Sequence, residues 1–279
     1  MAELPKADLP EADLPEADLP EAGLPGDLSE AELLERVRDR QWFYSFELPD
    51  GSLTPTYHDG ELDAIHDTRW RMLRQALGQA WPNGAAGRSA VDLASHQGWF
   101  AAQLARLGLD RVTGVEQRAS HVQDSRLITR LIGLDNVDIV HSDVFDLDTD
   151  ALGTFDLVLM LGLLYHLENP VGALRLARAL CSDLCVIETQ VVPGMTGRVD
   201  FGSYRFVRPL KGSFGLIDEV DETHGPETGA TGICLVPSLE ALTWLLAQVG
   251  FSQVHVLEPP EDAYEQLRYG KRVMVLARV

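Results

Sequence analysis

The sequence predicts an α/β domain with a doubly wound parallel sheet, entered through an N-terminal helical cap. Three observations carry that prediction. From Ala90 to the C-terminus, short apolar runs alternate with stretches of helical apolar periodicity, the pattern of strand–helix–strand winding. The stretch "VDLASHQGWFAAQLARLG", Val91 to Gly108, passes from an apolar strand through one glycine into an amphipathic helix. In a doubly wound sheet such a turn lies under the ligand. Ahead of it, residues 28–84 read as helices joined by turns.

Residues 1–27 stand apart. They repeat KADLP, EADLP, EADLP and EAGLP from Lys6 to Pro25. A proline every fifth residue forbids a continuous helix, and the composition builds no core. A solubilising, disordered tail is the expectation, and a docking arm the sharper alternative. Order is expected from Ser29, which opens a capping box with Glu32 ahead of Leu33, Leu34 and Val37. The aromatic run "WFYSFELPDG" (Trp42 to Gly51) ends in a turn signal. A second helix is expected from about Glu61 to Ala80, with Ile65, Met72, Leu73 and Leu77 inward. Pro82, Asn83 and Gly84 end it.

The main domain is expected over residues 85–279. "AVDLA" reads as its first strand, with Phe100, Leu104 and Leu107 on the face of the helix that follows. "RVTGVE", "NVDIV", "FDLVLMLG" and "LCVIETQ" are the next four strands. Asn169 caps a helix with Pro170 at its first position. Ser238 caps another, with Leu242, Leu245, Leu246 and Val249 inward and Gly250 as its stop. "SQVHVLE" and "RVMVLARV" close the sheet. Residues 191–235 break the rhythm: they are rich in Gly, Thr and Asp and show no sustained period. A long irregular loop that follows a strand's C-terminal end is expected to serve as part of a substrate lid.

Charge bounds the partners. The chain of 279 residues has a formal net charge of −20. Its first 27 residues hold eight acids and one lysine, which leaves a net −13 on the remainder. A field of that sign repels a polyanion, so nucleic acid is not the expected partner. No apolar run is long enough to span a membrane, and no basic-then-apolar leader opens the chain. Cys181, Cys185 and Cys234 are too few for a disulfide framework. A reduced, cytoplasmic protein is expected.

The turn after the first strand selects the ligand. Where a dinucleotide fingerprint has three glycines, this chain has Ala94, His96 and Trp99, and the side chains of His96, Gln97 and Trp99 crowd a pyrophosphate. A nucleoside bearing an amino acid tolerates them better. "DLASHQG" resembles the first motif of the class I S-adenosylmethionine (SAM)-dependent methyltransferases, with Asp92 and Gly98 in place and Ala94 for the first glycine. That resemblance runs onward from Ala90. It implies a Rossmann-like seven-stranded methyltransferase sheet with SAM at the strand ends. It places Asp92, Ala94 and Gly98 in the SAM turn, where Ala94 tightens the backbone approach to the methionine moiety, and assigns Glu116 to both ribose hydroxyls. His96 sits inside that turn, either touching the SAM carboxylate or packing beneath the cap. Asp143 is assigned to the adenine amino group, Val144 to its ring, and Leu161 to the fourth-strand motif. "LGLLYHLENPVGAL", "ETQVV" and "CLVPSLEALTWLLAQVGF" are similar to one group within the class. That group includes the tRNA wobble-uridine carboxymethyl transferase, which uses carboxy-SAM, and small-molecule relatives. The basic character of the tRNA enzyme is missing here.

The expected reaction is in-line methyl transfer to a small molecule, leaving S-adenosylhomocysteine, in secondary metabolism or amino-acid modification. Tyr165 and His166 follow the fourth strand and are the catalytic candidates. Tyr165 suits a cation–π contact with the sulfonium or a carboxylate, and His166 suits proton removal from an acceptor. Trp42 and Tyr44 in the aromatic run, and Tyr204 and Arg205 in the long loop, are the substrate-contact candidates. The run "YHDGELDAIHD" (Tyr57 to Asp67) carries metal-compatible residues, yet it fits the acidic first turn of a helix better, and no metal is expected. Three rival functions use the same sequence. SAM's own amine attacks its γ-carbon, giving azetidine-2-carboxylate and methylthioadenosine; the chain modifies tRNA; or it binds SAM without turnover.

Overall fold

The computed structural model describes residues 28–58, 60, 62–199, 208–219 and 232–279. The chain enters through α1 (Glu30–Arg38). The Ser29 side chain accepts from the Glu32 N–H, and the Glu32 side chain accepts from the Ser29 N–H. Such a box satisfies two orphan donors at the start of the helix. α2 (Asp63–Ala80) follows. Glu61, the expected start of that helix, lies outside the described residues, as does Asp59.

The winding then proceeds through β1 (Ser89–Leu93), α3 (Trp99–Arg106), β2 (Arg111–Glu116), α4 (Ala119–Leu131) and β3 (Val137–His141). A short α5 (Thr149–Leu152) leads into β4 (Phe155–Leu161), α6 (Pro170–Leu180) and β5 (Cys181–Gln190). Four short strands come next: β6 (Thr196–Val199), β7 (Arg208–Lys211), β8 (Phe214–Asp218) and β9 (Ile233–Pro237). The chain ends with α7 (Leu239–Gln248), β10 (Gln253–Leu257), α8 (Glu265–Arg268) and β11 (Arg272–Arg278). The expected caps are in place. Asn169 accepts from the Gly172 N–H with Pro170 at the helix start, and Ser238 accepts from the Ala241 N–H.

Seven strands form one sheet in the order β10-β11-β5-β4-β1-β2-β3. β1 pairs parallel with both β2 and β4, while β11 runs antiparallel to β5 and to β10. The strand order therefore reverses between β1 and β4, and a crevice opens there above the carboxyl ends. The period of two along β4 divides the core. Leu157 and Leu159 face the layer of α1, α2, α3 and α4, and Val158 and Met160 face the layer of α6 and α7. The N-terminal helices share that first core with the sheet: Val37, Trp42, Leu73 and Leu77 join Phe100, Leu157 and Met274 in one cluster. Full burial of such side chains contributes roughly 2 kcal/mol each relative to exposure.

The expectation of an irregular loop over residues 191–235 is corrected. β6 pairs antiparallel with β7, and β8 with β9, as two separate small sheets. The first three of these strands are short and mostly exposed, whereas β9 is mostly buried. No alternation of buried and exposed positions runs along the first three, so no period was visible there in the sequence. Cys181, Cys185 and Cys234 are buried and free. Burial pushes the Cys181 thiol up to about 12, so it stays protonated and inert. Among the described residues, no helix is long and apolar enough to cross a membrane.

Candidate functional site

A cavity of about 550 Å³ sits in the crevice at the reversal point, within the usual size range of small-molecule sites. Four loops build it, one after each of β1 to β4, and the aromatic run of the cap roofs it. Most of the sequence-derived candidates meet in its wall: Ala94, His96, Glu116, Asp143, Val144, Leu161, Tyr165, His166 and Tyr44.

The turn after β1 is held in an unusual backbone form. Ala94 and His96 have φ of 60° and 52°, and Gly98 has φ of 78°. At Gly98 a Cβ would lie 3.0 Å from the Ser125 Oγ, so α3 starts where only glycine clears α4. Side chains of this turn tie it to the cap. Gln97 Oε1 accepts from the Phe43 N–H at 2.7 Å, while its Nε2 donates to the Gln41 carbonyl and to Asp124. Trp99 Nε1 donates to the Ser45 carbonyl at 3.0 Å. Residues that would crowd a pyrophosphate thus anchor the roof. Phe43 and Tyr44 lie over His96 with ring centroids 4.8 and 5.6 Å away.

Glu116, at the end of β2, is 4% exposed. Its two oxygens accept from the His96 and Arg118 backbone N–H groups, both at 2.8 Å. The carboxylate therefore fixes the turn after β1 and also lines the cavity. Asp143, after β3, accepts from the Phe145 N–H at 2.7 Å and starts a short 3-10 turn over Val144 to Asp146.

Asp92 and Gly98 stand behind the wall rather than in it. Asp92 is 3% exposed, and its Oδ2 has no hydrogen-bond partner. Burial, with the nearby Glu116 charge, pushes its carboxyl up to about 8. In the unfolded chain the same group ionises near pH 4. The folded state thus holds one extra proton between roughly pH 4 and pH 8, and stability declines as pH rises through that window. Asp92→Asn removes this dependence. A flatter curve of melting temperature against pH between 4 and 8 is expected, and an unchanged slope would contradict the assignment.

Trp42 is corrected as a substrate contact. It is fully buried, its indole N–H donates to the Val37 carbonyl at 2.8 Å, and it packs edge-on against Phe46. Core packing holds this aromatic, and its neighbours Phe43 and Tyr44 take the roof. Tyr204 and Arg205 lie outside the described residues.

Beyond β4 the wall is ionic. Arg69, on the inner face of α2, meets Glu188 of β5 at 2.6 Å. Arg272, at the start of β11, reaches the same carboxylate at 3.2 Å and donates to the Tyr165 hydroxyl at 3.1 Å. The Arg272 guanidinium also lies 4.7 Å from the Tyr165 ring centroid. Burial opposes the Arg272 charge, yet Glu188 and Tyr165 outweigh it and raise the pKa above the ordinary arginine value. Two buried arginines thus share one buried glutamate, and Tyr165 is locked as cavity wall by its hydroxyl and its face.

His166 sits on a 3-10 turn spanning Leu164 to His166. Its Nδ1 is 2.5 Å from Oε1 of Glu219, a buried carboxylate just past β8. Arg69, Glu188, Arg272 and Glu219 escaped the sequence reading. For the first two a signal existed. Arg69 falls between Ile65 and Met72 on the apolar face of its helix, and Glu188 interrupts an apolar strand. Glu219 carried none, being one acid among several in "IDEVDE".

Comparison with known proteins agrees with this architecture. A family model described as a methyltransferase domain matches residues 64–256. The chain belongs to the methyltransferase domain family, and its fold is that of the class I SAM-dependent enzymes. Among curated proteins it is similar to two annotated tRNA U34 carboxymethyltransferases. That of Desulfotalea psychrophila is 27% identical over 134 residues, 46% of this chain and 41% of the relative. That of Idiomarina loihiensis is 22% identical over 205 residues, 72% of this chain and 55% of the relative. The chain therefore spans about half the length of the curated relatives it matches. Among solved structures, the N-terminal domain of EvdMO1 with SAH bound aligns at TM-score 0.69 and 22% identity, covering 90% of this chain and 98% of that one. A SAM-dependent methyltransferase from Mesorhizobium loti aligns at TM-score 0.53 and 19% identity, covering 76% and 98%.

Proposed function

We propose that the chain transfers a methyl group from SAM to a small-molecule acceptor beneath the Phe43–Tyr44 roof. The observation that carries this reading is one cavity lined by both Glu116 and His166. Glu116 suits the paired hydroxyls of a ribose, and Asp143 with Val144 suits an adenine. Ala94 and His96 border the place for the amino-acid part. When bound, SAM supplies an electrophilic methyl on a positive sulfur. The chain's own residues align an acceptor with that methyl and exclude water. The roof does the second, and the wall from Leu161 to His166 does the first.

The residues present fit that cofactor better than a dinucleotide. The turn that would cradle a pyrophosphate instead holds His96, Gln97 and Trp99, two of which are bonded to the cap. The net charge of −20 disfavours a polyanionic acceptor such as tRNA. The β8–β9 strand pair serves in this reading as part of a lid, since the Leu235 N–H bonds the Leu167 carbonyl at 3.0 Å beside the cavity.

Product analysis tests the reading. SAM with a labelled methyl, incubated with the chain and a metabolite extract, is expected to give S-adenosylhomocysteine and label in a small molecule. Methylthioadenosine would indicate ring closure of SAM itself. Label in RNA would indicate the tRNA reaction, and bound but unchanged SAM a non-catalytic module.

A further inference from the structure

We propose that Glu219 is the positioning residue of His166, and that the pair marks the acceptor as a hydroxyl compound whose proton must leave as the methyl arrives. The inference rests on the cavity being the methyl-transfer site. Its basis is the meeting of two distant segments. His166 comes from the turn after β4 and lines the cavity. Glu219 comes from the inserted hairpin, beyond the end of β8.

The hairpin is fastened to deliver this carboxylate. β8 and β9 pair from Phe214 to Asp218, and the Glu219 N–H donates to the Gly232 carbonyl at 2.8 Å. The Leu235 N–H donates to the Leu167 carbonyl, one residue past His166. The Cys234 thiol, on β9, donates to Glu219 Oε2 at 3.4 Å. Among the described residues, one carboxylate oxygen meets this weak neutral donor and the other the imidazole. Glu219 is 3% exposed, so water does not take the place of either partner.

A buried carboxylate on Nδ1 assigns the ring proton to that nitrogen and leaves basicity on Nε2. It also stabilises the imidazolium that forms when Nε2 takes a proton, as in other acid–histidine pairs. The step balances without a further reactant. The acceptor oxygen forms a bond to the methyl carbon, the carbon–sulfur bond breaks with its electron pair left on sulfur, and the hydroxyl proton passes to His166. That proton then leaves to solvent. A thioether, or an amine already neutral, would need no such base. Among the described residues, the Tyr165 ring packs on His166 and the Cys234 thiol meets its partner Glu219, while Glu168, just past the turn, and Arg69 on α2 line the same cavity.

Two readouts test the pair. The first is the ring tautomer of His166 by nitrogen-15 NMR of the full chain, assigned by the resonance that H166N removes. The Nδ1–H form is expected in the wild type. An Nε2–H form would overturn the proposal, and this holds even if E219Q does not fold. The second is label transfer from SAM into the metabolite extract across pH. E219Q is expected to lower the rate on the order of 10²-fold and to move the acid limb to lower pH, since the imidazolium loses its counter-charge. E219D is expected to recover part of the rate. S-adenosylhomocysteine affinity should stay within about 3-fold, under 1 kcal/mol. An E219Q chain with wild-type rate and pH limb overturns the role of Glu219 alone. A wild-type chain that binds no S-adenosylhomocysteine overturns the cavity assignment instead.

Discussion

Glu188→Gln is expected to destabilise the chain by about 3–5 kcal/mol, the cost of breaking a buried ion pair from one side. Glu188 is fully buried and faces two arginines whose side chains are 6% and 9% exposed. Glutamine keeps the shape and removes the charge, so two guanidinium groups stay desolvated with no counter-ion. The loss should appear in urea unfolding as a lower midpoint at unchanged slope. A further consequence separates this network from ordinary packing. Tyr165 depends on Arg272 for its hydroxyl bond and for the cation on its face, so the cavity wall should loosen with the pair. A shift below about 1 kcal/mol would mean that water reaches the network and that the wall is not rigid.

Glu116→Ala is expected to weaken S-adenosylhomocysteine binding by about 2 kcal/mol, roughly 30-fold. One part is the loss of a charged acceptor for ribose hydroxyls. Another is local: the His96 and Arg118 backbone N–H groups lose their shared carboxylate, and the strained turn at Ala94 and His96 loses a fastening. Calorimetric titration reads the sum. Glu116→Gln helps to separate the two, because an amide oxygen still accepts from one N–H while the charge is gone. Unchanged affinity in both variants would place the ribose elsewhere.

The sheet was legible because its inner strands are buried on both faces and its helices carry one apolar stripe each. Ala90 to Leu93 and Phe155 to Leu161 admit no other reading, and Asn169, Pro170 and Ser238 marked helix starts through side-chain chemistry that is local in sequence. The cavity wall after β1, β2 and β3 was legible for the same reason: Ala94, Glu116 and Asp143 sit at strand ends, where strand position fixes spatial position. The wall after β4 was not. Its defining contacts join residues far apart in the chain: Arg69 to Glu188, Arg272 to Tyr165, and Glu219 to His166. Periodicity reports which face a residue takes, not which partner it meets. The aromatic run shows the same limit. Trp42, Phe43 and Tyr44 are adjacent in sequence, yet one fills the core and the next two close the cavity.

The most direct measurement is a crystal structure of the chain with S-adenosylhomocysteine. The ribose hydroxyls should lie about 3 Å from Glu116, the adenine between Asp143 and Val144, and the sulfur toward Tyr165 and His166 under the Phe43–Tyr44 roof. A ligand bound away from the crevice between β1 and β4, or seated there with its ribose turned from Glu116, would contradict the account.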